Sequence, residues 1–462
     1  MNDNIFTSDF FSIVKNLLRW TLLIIPIAIA IGSMVALFLW LLSWATHFRF
    51  AHTYLLYLLP VAGVAIHFIY KLAGKSSEKG NNLIIDEIHQ PDCGVPKRMA
   101  PVVVLTTVIT HLFGGSAGRE GTAVQIGGSI AQAFGKWFKL NPADTRTILI
   151  AGIAAGFGAV FGTPVAGAIF AMEVLTIGRI KYNALLPCLM ASIIGDVTVA
   201  AWGIHHTAYH IDVFASVPRW YATYTAFDFL LLAKIIVASV AFGLASYLFA
   251  FLVHGLKSLF VTIIPKPWLI PVFGGLIIIG LTALLGKPDY LGLGIDPEHA
   301  RAITIPSAFN AGGADTWSWL WKTIYTTVTL SSGFKGGEVT PLFYIGATLG
   351  NTLSVLMDAP AGLFAALGFI AVFAGATNTP LACTFMGIEL FGSQYALFFA
   401  VACFTAYFFS GHSGIYGSQR IGIAKTPGRY ADAATLAEAD ERRRGYVRQK
   451  LAKYRLKGND GC

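Results

Sequence analysis

Long apolar runs separated by short polar gaps cover most of the chain: Thr21–Ala45, Tyr54–Tyr70, Met99–Phe113, Thr147–Val160, Thr163–Gly178, Leu185–Trp202 and Phe227–Phe260, then Trp268–Leu285, Thr316–Ser331, Thr340–Leu356, Gly362–Ala374, Pro380–Phe391 and Ala396–Ser410. Runs of this kind predict helices buried in lipid or protein on every side, not amphipathic surface helices. Several are shorter than the roughly 20 residues a full crossing needs, and Gly or Pro interrupts them. Short, broken helices are a signature of transporters whose backbone bends around a central site.

Composition agrees. Of 462 residues, 55% are hydrophobic and 12% charged, against about 25% charged in a soluble domain. The chain is therefore expected to be an all-α polytopic membrane protein. Its formal charge of +9 gathers in loops and tail. Lys71, Lys75, Lys79, Lys97 and Arg98 mark the loop after the second run as cytoplasmic, and Lys15 and Arg19 do the same for the N-terminus. Retention of basic loops on the cytoplasmic side of an inner (plasma) membrane accounts for the charge, so no nucleic-acid partner is implied. The expected organisation is a cytoplasmic lead-in over 1–20, a transmembrane domain over 21–427, and a basic cytoplasmic tail over 428–462. Five scattered cysteines without a CxxC pair imply neither a disulfide framework nor a metal site, and no cofactor is indicated.

One stretch breaks the apolar monotony. Gly114–Ile130, GGSAGREGTAVQIGGSI, sets six glycines around Arg119 and Glu120, with a short helix predicted from just after Glu120. A helix start inside a membrane protein offers unpaired N–H donors and the positive end of the helix dipole, so it is a ready anion site. The chain also repeats itself. Gly118-Arg-Glu-Gly-Thr122 is echoed by Gly336-Gly-Glu-Val-Thr340, both GxExT, and Thr163-Pro-Val-Ala166 with Glu173 is echoed by Thr379-Pro-Leu-Ala382 with Glu389. The expected architecture is two repeats, about 54–203 and 268–411, meeting near the bilayer midplane with Glu120 and Glu338 close together. A small anion would sit between the helix starts, hydrogen-bonded by backbone N–H groups and the hydroxyls of Thr122 and Thr340. Glu120 would compete with it while ionised and leave when protonated, which links anion to proton movement.

These residues carry a resemblance. GREG at Gly118–Gly121, the AGxxAGFGAxFGTPxAGxxFAxEV pattern through Ala151–Val174, and the tyrosine of Ser413-Gly-Ile-Tyr416 resemble the CLC anion channels and transporters along nearly the whole chain. Three departures look like the fluoride/proton antiporter branch, in its asparagine-bearing subgroup. Asn81 stands in Gly80-Asn-Asn-Leu-Ile84 where most members have the serine of GSGIP, Thr122 follows GREG in place of proline, and Gly337-Glu-Val-Thr-Pro341 replaces GxFxP. The resemblance implies a homodimer of α-helical subunits, each with its own pore and an inverted repeat. It implies Glu120 as the gating and proton-carrying glutamate, helped by Glu338, with Asn81 and Tyr416 as anion ligands and Val339 donating its backbone N–H beside Gly118, Arg119, Gly121, Thr122 and Thr340. A second, internal proton-transfer glutamate of many CLC exchangers is replaced here by Val174. An amide at Asn81 gives two donors where serine gives one, which suits a small, strongly hydrated ion such as fluoride; Asn81 also suits a cap on the short helix predicted over Leu83–Ile88.

The alternative reading is a chloride-selective CLC exchanger or channel. An enzyme is not expected, since there is no HExxH, and GxSxG at Gly114–Gly118 follows an apolar segment, not a strand. His205, His206 and His210 read as solvated or satisfied loop histidines.

Overall fold

Prolines start several helices of this chain, and glycine or asparagine ends some of them. Asn141 accepts a hydrogen bond from Asp144 N (2.8 Å) ahead of Pro142, Gly162 closes the same helix in the left-handed region, and Pro164 opens the next. Asn378 (φ 58°) and Pro380 repeat this punctuation in the second half. The computed structural model describes residues 3–209, 211, 228–426 and 434–443, without the side chains of residues 3–10 and Lys75.

The first half comprises α1 (Asp3–Ala51), α2 (Leu59–Ile69), α3 (Asn81–His89), α4 (Met99–Leu112), α5 (Glu120–Trp137), α6 (Pro142–Phe161), α7 (Pro164–Glu173) and α8 (Leu185–Ala201). The second comprises α9 (Phe229–Ile263), α10 (Ile270–Leu285), α11 (Ser318–Ser331), α12 (Val339–Met357), α13 (Ala361–Thr377), α14 (Pro380–Phe391) and α15 (Ala396–Phe409). Among the described residues, seven helical stretches are long and apolar enough to cross a membrane. Others are too short: α4, with 14 residues, reaches only about 21 Å. Two two-residue strands, Thr176–Ile177 and Arg420–Ile421, pair in parallel and tie the chain between α7 and α8 to the chain after α15.

Two inverted-topology repeats pack face to face, and three sets of contacts express their two-fold relation. Gly118 and Gly337 form an isolated antiparallel bridge, each N–H donating to the other's carbonyl at 2.6 and 2.7 Å. Helices α5 and α6 cross at Gly127 and Gly152, and α12 and α13 cross in the same way at Gly346 and Gly368. A methyl on any of the four would run into the carbonyl of its opposite glycine. The third contact is reciprocal capping. Glu173, at the end of α7, accepts from Leu381 N and Ala382 N at the start of α14 (3.1 and 2.8 Å). Glu389 on α14 accepts from Val165 N and Ala166 N at the start of α7 (2.9 and 2.8 Å). Each carboxylate thus satisfies N–H groups that its neighbour's helix leaves unpaired. Aromatic rings from both halves fill the centre, with Phe343 and Phe369 stacked at 3.8 Å and Phe157 and Phe170 at 4.3 Å.

The structure adds detail to three expectations. Residues 3–20 are helical and continuous with the rest of α1, which runs on through Pro26 to Ala51. The short helix expected after Glu120 starts at Glu120 itself and runs 18 residues, its glycines serving the crossing with α6 and not a helix end. Of the expected tail, 434–443 folds back onto the domain: Ile421 N donates to Ala434 O (3.1 Å), Leu436 N to Gln419 O (3.0 Å), and Arg443 reaches the Tyr247 hydroxyl (3.2 Å). The remainder of that tail, and His210, lie outside the described residues.

Candidate functional site: an anion cradle between two helix starts

The Gly118–Gly337 bridge brings the first turns of α5 and α12 together. Neither glycine has room for a side chain. A methyl on Gly118 would lie 2.7 Å from Glu120 Oε2, and one on Gly337 would lie 2.7 Å from Gly121 N and 3.1 Å from Glu120 N. Backbone donors therefore converge on a small volume where no side chain intervenes.

Glu120 fills that volume. It is 1% exposed, and its carboxylate turns away from its own helix to the start of α12. Oε2 accepts from Arg119 N and from Thr340 N, both at 3.0 Å, while Oε1 accepts from the Thr340 hydroxyl. Arg119 Nε stands 3.8 Å from Oε1, longer than a hydrogen bond. A negative oxygen pair at the N-terminus of α12 is where the helix dipole favours an anion. The carboxylate thus occupies what its removal would leave as an anion-binding cradle.

Glu338 and Glu120 are neighbours, as expected, but not two-fold mates. The backbone bridge pairs Gly118 with Gly337, so Arg119 matches Glu338 as the residue before each helix, and Glu120 matches Val339 as the first residue within it. The GxExT echo is one residue out of register, because letter matching follows side chains and the repeat follows backbone hydrogen bonds. Val339 opens α12, so its N–H is among the donors that no intrahelical carbonyl takes.

Asn81, Gly121, Glu338 and Tyr416 form the next layer. A methyl on Gly121 would meet Asn81 Nδ2 at 3.1 Å and Glu338 Oε2 at 3.7 Å. Tyr416, 4% exposed, interacts with the Asn81 side chain. Its loop is pinned by Ile415 N donating to Ala376 O (2.9 Å) and Asn378 Nδ2 to Ser413 O (3.1 Å). Asn81 does not cap its helix: Gly80 (φ 59°) holds that position, no side-chain cap bond forms, and Asn81 Oδ1 is buried without a partner among the described residues. Thr122 stands apart, its hydroxyl sharing a 2.8 Å hydrogen bond with Thr107 on α4.

Two cavities approach this cluster from different ends. One of about 560 Å³ is lined by Asn82, His254, Lys257, Ser413, Gly417 and Arg443, next to Asn81 and Tyr416. The other, about 280 Å³, is lined by Arg119, His205, His206, Thr207 and Asp296. A separate gap of about 10 Å³, one water's worth, lies against Glu120, Thr340, Phe343 and Tyr209 and shares Arg119, His206 and Thr207 with it. Lys257, His206 and the reciprocal role of Glu173 and Glu389 were missed from sequence. Only the two glutamates left a signal, in the repeated T-P-x-A-x(6)-E pattern.

Comparison with known proteins gives the family. The voltage gated chloride channel family matches residues 58–411. A chloride/fluoride channel protein of Pseudomonas syringae pv. tomato is 47% identical over 413 residues, 88% of this chain and 87% of the relative. An H(+)/Cl(-) exchange transporter of Vibrio cholerae is 26% identical over 73% of this chain and 71% of the relative. Among solved structures, a CLC-type fluoride/proton antiporter superposes with a TM-score of 0.81 at 36% identity, covering 88% of this chain and 98% of that one. A chain with this repeat, this glycine bridge and these relatives belongs to the CLC family of anion channels and transporters.

Proposed function

We propose that this protein is a fluoride/proton antiporter that exports fluoride from the cytoplasm in exchange for protons, with Glu120 as gate and proton carrier. The observation that carries the reading is the Glu120 carboxylate lying among Arg119 N, Thr340 N and the Thr340 hydroxyl. Those groups donate to a carboxylate oxygen, and they are free to donate to fluoride when the carboxylate leaves. Protonation removes the charge that holds Glu120 there. The likeness to a fluoride/proton antiporter and to a chloride/fluoride channel protein supports fluoride as the ion.

In this reading the cavity beside Asn82 opens to the cytoplasm, following the basic loop over 71–98, and both termini lie on that side. Asn81 and Tyr416 receive fluoride there, Glu338 helps Glu120 with the proton, and Lys257 on the cavity wall offsets part of the negative charge of Glu338. The protein acts in the plasma membrane as a homodimer, each subunit with its own pathway. It catalyses no bond-making: the Ser116 hydroxyl of GxSxG is tied to Thr326 (2.9 Å) in the core.

Parallel flux of fluoride, chloride and protons in proteoliposomes tests the reading. Proton influx should accompany fluoride efflux, and chloride flux that equals or exceeds fluoride flux would favour the chloride exchanger. Asn81→Ser removes one of the amide's two donors. The loss of one neutral hydrogen bond, about 0.5–1.5 kcal/mol, should lower the fluoride-over-chloride flux ratio by up to about tenfold. An unchanged ratio would exclude Asn81 from selectivity.

A further inference from the structure

The cavity beside Arg119 and the narrow gap against Glu120 share four bordering residues, Arg119, His206, Thr207 and Ile295. A proton passing from that vestibule to the Glu120 carboxylate must pass them. Thr207 and Ile295 do not titrate, and an arginine guanidinium stays protonated in proteins. His206 is the one member of the four whose side chain has ring nitrogens that can both take up and give up a proton.

Its setting is built for that. The side chain is 21% exposed, and Nε2 lies 3.5 Å from Asp196 Oδ1 on α8 without a well-formed hydrogen bond to any described residue. The ring packs over Gly162, where a methyl would stand 2.5 Å from Cδ2. The last turn of α6 thus ends in a residue small enough to admit the imidazole.

We propose that His206, charge-paired with Asp196, relays protons from this vestibule to Glu120. The proposal rests on Glu120 being the proton carrier. The imidazolium gives its ring proton across the water-sized gap to the Glu120 carboxylate: an N–H bond breaks, an O–H bond forms, and neutral Glu120 releases Thr340. The vestibule's water then reprotonates the ring. The charged and titratable groups around it are Asp196 on α8, Arg119 and Glu120 at the start of α5, Asp296 on the facing loop, and His205 and Tyr209 on its own loop. Glu389 on α14 interacts with Asp196 from behind.

The test is fluoride-driven proton influx in proteoliposomes across external pH, with His206→Gln, Asp196→Asn and His206→Ala beside Glu120→Gln, each checked for monodisperse elution. At external pH of about 7.5, His206→Gln should slow proton influx at least about tenfold, since a positioned proton donor typically accelerates transfer by about 10²–10⁴ and water can replace part of that. The deficit should close towards about pH 5.5, where solvent protons reach Glu120 unaided, and external imidazole should restore His206→Ala. Asp196→Asn should slow influx in the same pH-dependent way. Wild-type rates in His206→Gln overturn the proposal. So does a deficit that is equal at every pH and unmoved by imidazole, the mark of a structural role. Coupled protons persisting in Glu120→Gln would instead overturn the carrier reading itself, whatever His206 does.

Discussion

Glu120→Gln is expected to abolish proton-coupled fluoride movement while leaving the fold intact. The amide keeps the shape of the carboxylate but cannot exchange a proton: its oxygen can accept from Arg119 N and Thr340 N while its Nε2 donates to the Thr340 hydroxyl. Two outcomes fit, a stalled protein or a fluoride leak without protons. Internal pH and fluoride efflux, followed together after a fluoride gradient is imposed, distinguish them. Proton uptake at the wild-type ratio would remove Glu120 from the mechanism. Val174, just past the end of α7, cannot carry a proton, and the Glu173 carboxylate beside it is held by Leu381 N and Ala382 N.

The second large effect is on stability. Glu173→Ala should leave Leu381 N and Ala382 N without acceptors in a site only 7% exposed. Each orphaned buried donor costs about 1–3 kcal/mol, so the variant should lose about 2–6 kcal/mol. Glu389→Ala should cost less, because Glu389 is half-buried and water can reach its side of the contact. Thermal loss of monodisperse protein in detergent measures both. Equal midpoints for wild type and Glu173→Ala would mean that water replaces the carboxylate without penalty.

Much of the helical layout is legible in the chain. Pro380–Phe391 coincides with α14, and most other apolar runs lie within a few residues of a helix, because proline, glycine and asparagine mark those ends locally. GREG and the T-P-x-A-x(6)-E echo point to the site for the same reason: they are backbone requirements written in residue type. Partners across the fold are not written that way. That Glu173 caps α14 and not its own helix depends on how two distant segments dock, and neither periodicity nor spacing carries that information. The register of Glu338 was misread because a matching glutamate outweighed a backbone match invisible in letters. His206 left no mark at all: a histidine in a loop looks solvated until the walls around it are known.

The reciprocal caps also bear on how the protein is made. Val165 N meets its acceptor, Glu389, 224 residues later in the chain. At a synthesis rate of roughly 5–20 residues per second, that interval is about 10–45 s. Throughout it the first half sits in the translocation machinery or the bilayer with the start of α7 incomplete and Glu173 lacking the helix it caps. Neither half can reach its final hydrogen bonding alone. The nascent first half therefore waits, and a ribosome that stalls before Glu389 leaves a fragment with unmet backbone donors for membrane quality control to find.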